Sequence, residues 1–421
     1  MAKGKVYMCF DLKSFFASVE CVERGLDPFT TNLVVADPSR GERTICLAAT
    51  PAIKAQGAKS RGRVYEIPKG IEYITAPPRM RLYMEYSARI YGIYLRYVAP
   101  EDIFAYSIDE VFMDATAYMG ARSLSPRGFA REIMGAIFSE TGITATCGIG
   151  ENIYLAKVAL DVISKHSSEF IGELTEESYR EKLWDHLPLT DIWRISTGTV
   201  KRLSHLGIRT MRELAHADEA LLYKTFGVDA RLLIDHAWGR ESTTIGDIKA
   251  YTPKSRSLST GQVLHSGYDC AGARLLVLEM AELLSLELVK NKVAAGCVEL
   301  SLGYSYSAEV KPAHGTISVD PPSNSTKKLL EYTGALYDRI AARDCEVYRL
   351  NIGFGRLCDE GNVQYDIFTD GDAIERERRL QRAIVNMKDK YGKSIICKGM
   401  NLLEGAKTLE RNGQIGGHRE Q

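Results

Sequence analysis

Apolar and polar positions alternate most sharply in Ala105–Asp114, A-Y-S-I-D-E-V-F-M-D, where β-forming residues flank the adjacent carboxylates Asp109 and Glu110. That pattern predicts two short strands joined by a tight acidic turn. A second apolar run, Val6–Phe10, ends on Asp11 and predicts another strand with an aspartate at its tip. Acidic side chains in a hairpin turn are ordinarily just solvated. If these strands share one sheet, however, Asp11, Asp109 and Glu110 meet at one edge, and three carboxylates that cannot all stay ionised at close range call for a cation. All-oxygen ligation suits magnesium or manganese.

Between the two runs the character changes. Phe15-Phe16-Ala17-Ser18-Val19-Glu20 reads as a helical turn that brings two aromatics to the acidic edge, either as core or as a flat wall under a sugar, where a 2′-hydroxyl would clash. From Asp27 to Pro78, strands at Leu33–Ala36 and Thr44–Ala48 and a basic helix at Pro51–Lys59 mark a small inserted subdomain. Its Lys54, Lys59, Arg61 and Arg63 are either a solvated face or the charges that a triphosphate needs near a metal. Arg79–Tyr97 predicts a helix packed on the sheet, Ser125–Thr141 a helix with Pro126 in its first turn, Thr144–Gly150 a strand, and Asn152–Lys165 a helix carrying Lys157 and Lys165. Strand, helix, two strands, helix, strand is an α+β order with a ferredoxin-like layout.

After Ile171 short polar helices take over. Ile192–Ile208 predicts a tight turn between two of them, and Arg194, Lys201, Arg202, Arg209 and Arg212 meet no acidic residue between Asp191 and Glu213. Backbone N–H groups in such a turn, beside such cations, suit a DNA phosphate. A linker then precedes a second α+β unit, with strands at Ser257–Leu264, Val298–Tyr304 and Arg349–Arg356, helices at Ala271–Lys292 and Lys327–Ala342, and cations at Lys254, Arg256 and Lys311. From Leu357 the chain reads as a tail with one charged helix, Asp372–Tyr391. Just before that helix, Gln364-Tyr365-Asp366-Ile367-Phe368 is a polar strand-like piece whose Q-x-D-I-F form is also that of a peptide ligand for an apolar pocket.

Composition narrows the class. The 421 residues fit two to four domains. No run of about eighteen apolar residues occurs, and the first strand begins too early to leave room for a signal peptide. The 9 cysteines lack any C-x-x-C spacing and read as reduced cytosolic residues rather than a zinc site or disulfide scaffold. A cytoplasmic, multi-domain enzyme is expected. Since 54 Lys and Arg balance 54 Asp and Glu, a nucleic-acid partner is signalled only by local segregation of the cations.

C-F-D-L-K-S-F-F-A-S-V-E near the start, Y-S-I-D-E-V-F-M-D around residue 110, G-I-G-E-N-I-Y-L-A-K-V-A and P-K-S-R-S-L-S-T-G-Q-V-L follow one another in a single collinear order. This set, covering residues 5 to 356, resembles the Y-family, or translesion, DNA polymerases, and the tail and fingers sequence are closest to the bacterial UmuC-like branch. The resemblance implies a right-hand polymerase: a ferredoxin-like palm at 1–26 and 79–170, small fingers at 27–78, a helical thumb with a helix-hairpin-helix at 171–243, a linker at 244–253, an α+β little finger at 254–356 and a tail at 357–421.

It further implies that Asp11, Asp109, Glu110 and the backbone carbonyl of Leu12 bind two Mg²⁺ ions, for which Mn²⁺ can substitute. One ion would lower the pKa of the primer 3′-hydroxyl for in-line attack on the α-phosphate, and the other would hold the triphosphate and neutralise pyrophosphate. Phe16 matches the sugar steric gate, with Phe15 beside it in the nucleotide site. Lys54 matches the fingers cation on the triphosphate. Lys165 is taken as the palm lysine, one residue beyond the family spacing, which Ser164 occupies. Arg194, Lys201, Arg202, Lys254 and Arg256 would contact DNA, while Gln364, Ile367 and Phe368 look like a sliding-clamp ligand. Pro51 departs from a tyrosine common in the family, and Arg194 and Ser196 replace the glycines of its W-G-I-G turn.

The implied activity is error-prone, unproofread addition of deoxynucleotides to a primer–template by a monomer, opposite damaged template, in an SOS-type damage response. Two other readings share parts of the pattern. One is another two-metal palm enzyme, such as a nucleotidyl cyclase; the other is a non-catalytic, clamp-recruiting DNA-binding homologue.

Overall fold

The computed structural model describes residues 4–120, 123–253, 255–305, 309–363 and 370–420. The chain divides into two units between Tyr251 and Thr252. The first is built on β1 (Tyr7–Leu12), which is buried along almost its whole length. A strand paired on both sides and covered on both faces needs an unbroken apolar run, and Y-M-C-F supplies it.

After α1 (Phe15–Val22), the inserted segment folds as β2 (Leu33–Val35), β3 (Ala48–Ala49), α2 (Pro51–Ala55) and β4 (Ile74–Ala76). Its small sheet has the order β3-β2-β4. The palm resumes with α3 (Met80–Tyr94), β5 (Ile103–Ala105), β6 (Glu110–Asp114), α4 (Pro126–Thr141), β7 (Ala145–Gly150), α5 (Ile153–Val158) and β8 (Ile171–Leu174). The sheet order is β5-β6-β1-β7-β8, with β1 antiparallel to both neighbours and β8 parallel to β7. Gly148 and Gly150 let α5 lie directly on β7: a Cβ on Gly148 would stand 2.0 Å from the Ala156 carbonyl oxygen, and one on Gly150 2.3 Å from the Ala156 nitrogen. The helix expected to run to Lys165 instead passes through a π turn at Ala159–Ile163 and a 3₁₀ turn at Ser164–His166.

Five short helices follow: α6 (Glu176–Leu183), α7 (Thr197–His205), α8 (Met211–Ala215), α9 (Glu219–Phe226) and α10 (Asp229–Ala237). They close around Tyr179, Leu203, Met211 and Leu222, and His236 stacks on Tyr154 of α5 with ring centroids 3.9 Å apart. The expected linker at 244–253 differs from the structure, for α11 (Ile245–Ala250) is a docked helix of the first unit. Thr244 caps it, Ile245 is buried beside Tyr7 and Phe112, and Lys249 donates to the Pro100 carbonyl. Two apolar residues in so short a piece gave no helical period to read.

The second unit comprises β9 (Leu258–Tyr268), α12 (Cys270–Lys290), β10 (Val293–Tyr304), β11 (Ala313–Ser323), α13 (Thr326–Ile340) and β12 (Val347–Gly355), in the sheet order β11-β10-β12-β9. Strand β11 escaped the sequence reading because Pro321 and Pro322 interrupt it, which an edge strand tolerates. The expected tail is not separate: α14 (Gly371–Tyr391) packs on α12, and the fully buried Glu279 of α12 accepts from Asn401 Nδ2 at 3.1 Å, Lys407 N at 2.8 Å and Thr408 N at 3.2 Å.

His236 also meets Glu241 at 3.0 Å. Burial pushes the Glu241 carboxyl up, but hydrogen bonds from His236 and Thr243 outweigh it and bring the pKa down to about 2. Because the folded value lies below the unfolded one, the stabilisation is complete above roughly pH 4.3 and disappears as pH falls through the folded value. Acid titration of the melting temperature should therefore show a fall over that interval which Glu241→Gln lacks; parallel profiles would refute the assignment.

Candidate active site

Antiparallel pairing of β1 with β6 sets Asp11 directly opposite Glu110, and Leu12 N donates to the Asp109 carbonyl at 3.0 Å. The acidic turn and the end of β1 therefore share one sheet edge. Asp109 is half-buried and accepts from Ser107 Oγ at 2.6 Å. Glu110 is buried, and its Oε1 accepts from Lys157 Nζ at 2.9 Å and from Cys9 Sγ at 3.3 Å. Lys157, itself buried on α5, also reaches Asp161 Oδ1 at 3.0 Å.

The electrostatics follow from this crowding. Burial lifts Asp11 to about 7, with the Asp109 and Glu110 charges adding to the effect. Burial also raises Glu110, against the pull of Lys157. For Lys157, burial works against the charge, but Cys9, Asp161 and Glu110 hold its pKa above the ordinary lysine value. Among the described residues, no three acidic, histidine or cysteine side chains are gathered in metal-ligating geometry. Asp109 is instead bound by Ser107 and Glu110 by Lys157. The donor set of three carboxylates and backbone oxygen is nevertheless the chemistry of a hard divalent cation.

Of the two aromatics, Phe15 is only 3% exposed and belongs to the core, so Phe16 alone presents ring surface. The Phe16 ring lies on Tyr83, with centroids 4.4 Å apart and planes 15° apart. Tyr83 donates to Glu20 Oε1 at 2.7 Å, and Arg79 grips the same carboxylate at 3.0 and 2.7 Å. Burial pushes the Glu20 carboxyl up, but Arg79, Tyr83 and Arg24 outweigh it and hold it below the usual range. Sequence reasoning missed this support. Its one local sign is a glutamate four residues after Phe16, on the same face of an otherwise apolar helix.

Lys54 donates to Ser14 Oγ at 2.9 Å. Burial lowers the Lys54 pKa; Asp11 opposes this, and the Lys13 and Lys165 charges add to it. The three ammonium groups thus lie close enough to each other for their fields to interact, and Lys13 and Lys54 also feel the charge of Asp11. Ser164 is fully buried and turns its hydroxyl back to the Leu160 carbonyl at 2.6 Å, whereas Lys165 is exposed. A π turn holds one residue more than an α turn. Such a turn lies at Ala159–Ile163, immediately before Ser164 and Lys165.

In the helical part, Arg194 adopts φ 68°, the left-handed region that glycine fills without strain, and its guanidinium lies 4.8 Å from the Trp193 ring centroid. Ser196 caps α7 by accepting from Thr199 N at 3.2 Å. The glycine replacements thus retain the turn. Lys201 and Arg202 are exposed on α7. Arg212 is bound by Asp185 at 2.7 Å and is not a free cation. In the second unit, Arg256 pairs with Asp359 at 3.0 Å. Lys254 and the Gln364, Ile367 and Phe368 motif lie outside the described residues. Among the described residues, no helix is long and apolar enough to cross a membrane.

A ferredoxin-like sheet with an acidic edge, a small inserted sheet and a helical hairpin domain defines a right-hand palm polymerase. Residues 10–161 match the impB/mucB/samB family and residues 255–367 match that family's C-terminal domain. The chain belongs to this family, the Y-family DNA polymerases. It is 30% identical to DNA polymerase IV 1 of Halalkalibacterium halodurans over 408 residues, 96% of this chain and 94% of that one. It is 29% identical to the putative UV-damage repair protein UvrX of Bacillus subtilis over 417 residues, 99% of this chain and 98% of that one. Among solved structures, a Y-family DNA polymerase chimera of Dbh and Dpo4 superimposes with a TM-score of 0.65 at 19% identity, over 84% of this chain and 99% of that one.

Replacing Lys157 by Met would leave Glu110 and Asp161 without their shared cation. Removing one partner of a buried ion pair costs about 3–5 kcal/mol. Urea unfolding of Lys157→Met should show a loss of that order, and a midpoint equal to wild type would exclude the pair as a structural element.

Proposed function

We propose that this translesion DNA polymerase performs nucleotidyl transfer at the β1–β6 edge, adding deoxynucleotides to a primer 3′ end opposite damaged template. The observation that carries the assignment is the register of Asp11 against Glu110, with Asp109 beside them. These carboxylates and the Leu12 carbonyl would hold two Mg²⁺, or Mn²⁺ in their place. When bound, the ions supply Lewis acidity toward the 3′-hydroxyl and charge neutralisation for pyrophosphate.

The chain's own residues do the rest. Lys157 and Cys9 occupy Oε1 of Glu110, which fixes the side chain and keeps its other oxygen for a cation. Phe16, braced by Tyr83, stands as a rigid wall against a ribose 2′-hydroxyl. Lys54 and Lys165 take the triphosphate. Arg194, Lys201 and Arg202 grip a DNA phosphate near the first turn of α7, and Lys254 and Arg256 add contacts from the second unit. Gln364, Ile367 and Phe368 would tie a cytoplasmic monomer to a sliding clamp, raising its concentration at the primer end.

Primer extension on undamaged and abasic templates tests this reading. Wild type should extend both, and Asp109→Ala/Glu110→Ala should extend neither while still binding DNA. A wild-type chain that binds primer–template but adds no nucleotide, with the clamp supplied, would replace this reading with that of a non-catalytic recruiting protein.

A further inference from the structure

Lys13 is not among the residues assigned to the metal, nucleotide or DNA, yet its surroundings are specialised. It lies two residues beyond Asp11, and its backbone N–H is fixed by the Thr144 carbonyl at 2.9 Å. Its ammonium sits 4.0 Å from the Phe170 ring centroid and 6.0 Å from that of Phe29. The two rings stack at 6.2 Å with planes 26° apart, although Phe29 is 41% exposed. Phe170 holds φ 58°, a region that bulky side chains avoid. The strained residue is tied down at both ends: its N–H donates to the Ser167 carbonyl at 3.1 Å, and its carbonyl accepts from Cys147 N of β7 at 2.9 Å. Strain of this kind persists where surrounding structure enforces it and clusters at functional sites.

The position of the ammonium is informative. Asp11 is the nearest obvious counter-ion, but among the described residues the ion pairs at this edge are those of Lys157, and Lys13 makes none. A ring face attracts the ammonium through its quadrupole without consuming N–H donors. A salt bridge to Asp11 would both use those donors and neutralise a carboxylate needed for a cation. Lys54 reaches Ser14 Oγ at 2.9 Å, beside Lys13 in the chain, so the two ammonium groups converge on the same short segment.

We propose that Lys13 is a third polyphosphate-binding cation, held off Asp11 by the Phe29–Phe170 rings and acting with Lys54 and Lys165 on the incoming nucleotide. The assignment rests on the nucleotide-site reading above, and it deepens that reading by giving this chain an extra phosphate contact that Phe29 and Phe170 position. It also accounts for the strained Phe170, whose ring no other part of the site uses.

Calorimetric titration of the full chain with inorganic tripolyphosphate, without added metal, tests the contact independently of catalysis. Lys13→Met, which keeps the stem and drops the charge, should weaken binding about tenfold, the worth of one charge-assisted contact. Lys13→Arg should recover most of that loss, and Phe170→Leu should weaken binding by a smaller factor. The KM for deoxynucleotides should rise in parallel with unchanged kcat. Tripolyphosphate affinity equal to wild type in Lys13→Met overturns the proposal, as does a loss of melting temperature without a loss of affinity, which would make Lys13 a staple between two rings. Tripolyphosphate binding that depends on Lys13 in a wild-type chain unable to extend primers would uphold the phosphate contact and remove the polymerase reading.

Discussion

The double pairing of β1 is the constraint on which the rest of the molecule depends. With β6 on one side and β7 on the other, both antiparallel, the register of the strand is fixed twice over. A slip of one residue would turn every side chain to the opposite face. Asp11 would then lose Glu110 as its opposite number, and the apolar run that precedes it would lose its burial. The same pairing brings β7 beneath α5, and the two glycines of β7 allow the backbone contact that delivers Lys157 to Glu110. Fold stability and site geometry are therefore one requirement, met by one strand.

Around that edge the chain segregates its charge. The carboxylates of Asp11, Asp109 and Glu110 concentrate negative potential on the sheet end, while Lys13, Lys54 and Lys165 arrive from three separate segments. On the proposed function, a divalent cation and a polyphosphate would answer both fields at once. Net charge over the whole chain is zero, which shows how little the total says about local function. Buried Lys157 belongs to neither field: it is committed to Glu110 and Asp161, and its role is to hold a carboxylate in place.

Much of this was legible in the sequence because the signals are local. The run ending at Asp11 and the alternation around Asp109-Glu110 lie within one strand and one hairpin, and the long helices at 126–141, 270–290 and 371–391 carry capping residues at their first turns. What stayed hidden depends on partners far apart in the chain. Phe29, Lys13 and Phe170 come together only in three dimensions, as do Phe16, Tyr83, Glu20 and Arg79. The tail's attachment to Glu279 was missed for the same reason, while the docked helix at Ile245–Ala250 is too short to show a helical period. Ser164 and Lys165 illustrate an intermediate case. Their offset is plain in the sequence, but a π turn cannot be read from spacing, and only the fold shows which side chain faces out.

A divalent-metal centre at the Asp11–Glu110 edge can be read out without catalysis. Electron paramagnetic resonance can count Mn²⁺ ions bound by the full chain in complex with primer–template and a non-hydrolysable deoxynucleotide. About two ions per wild-type chain are expected, with at least one lost in Asp11→Asn. Full occupancy retained in that variant, or no bound ion in wild type, would contradict a metal centre at this edge.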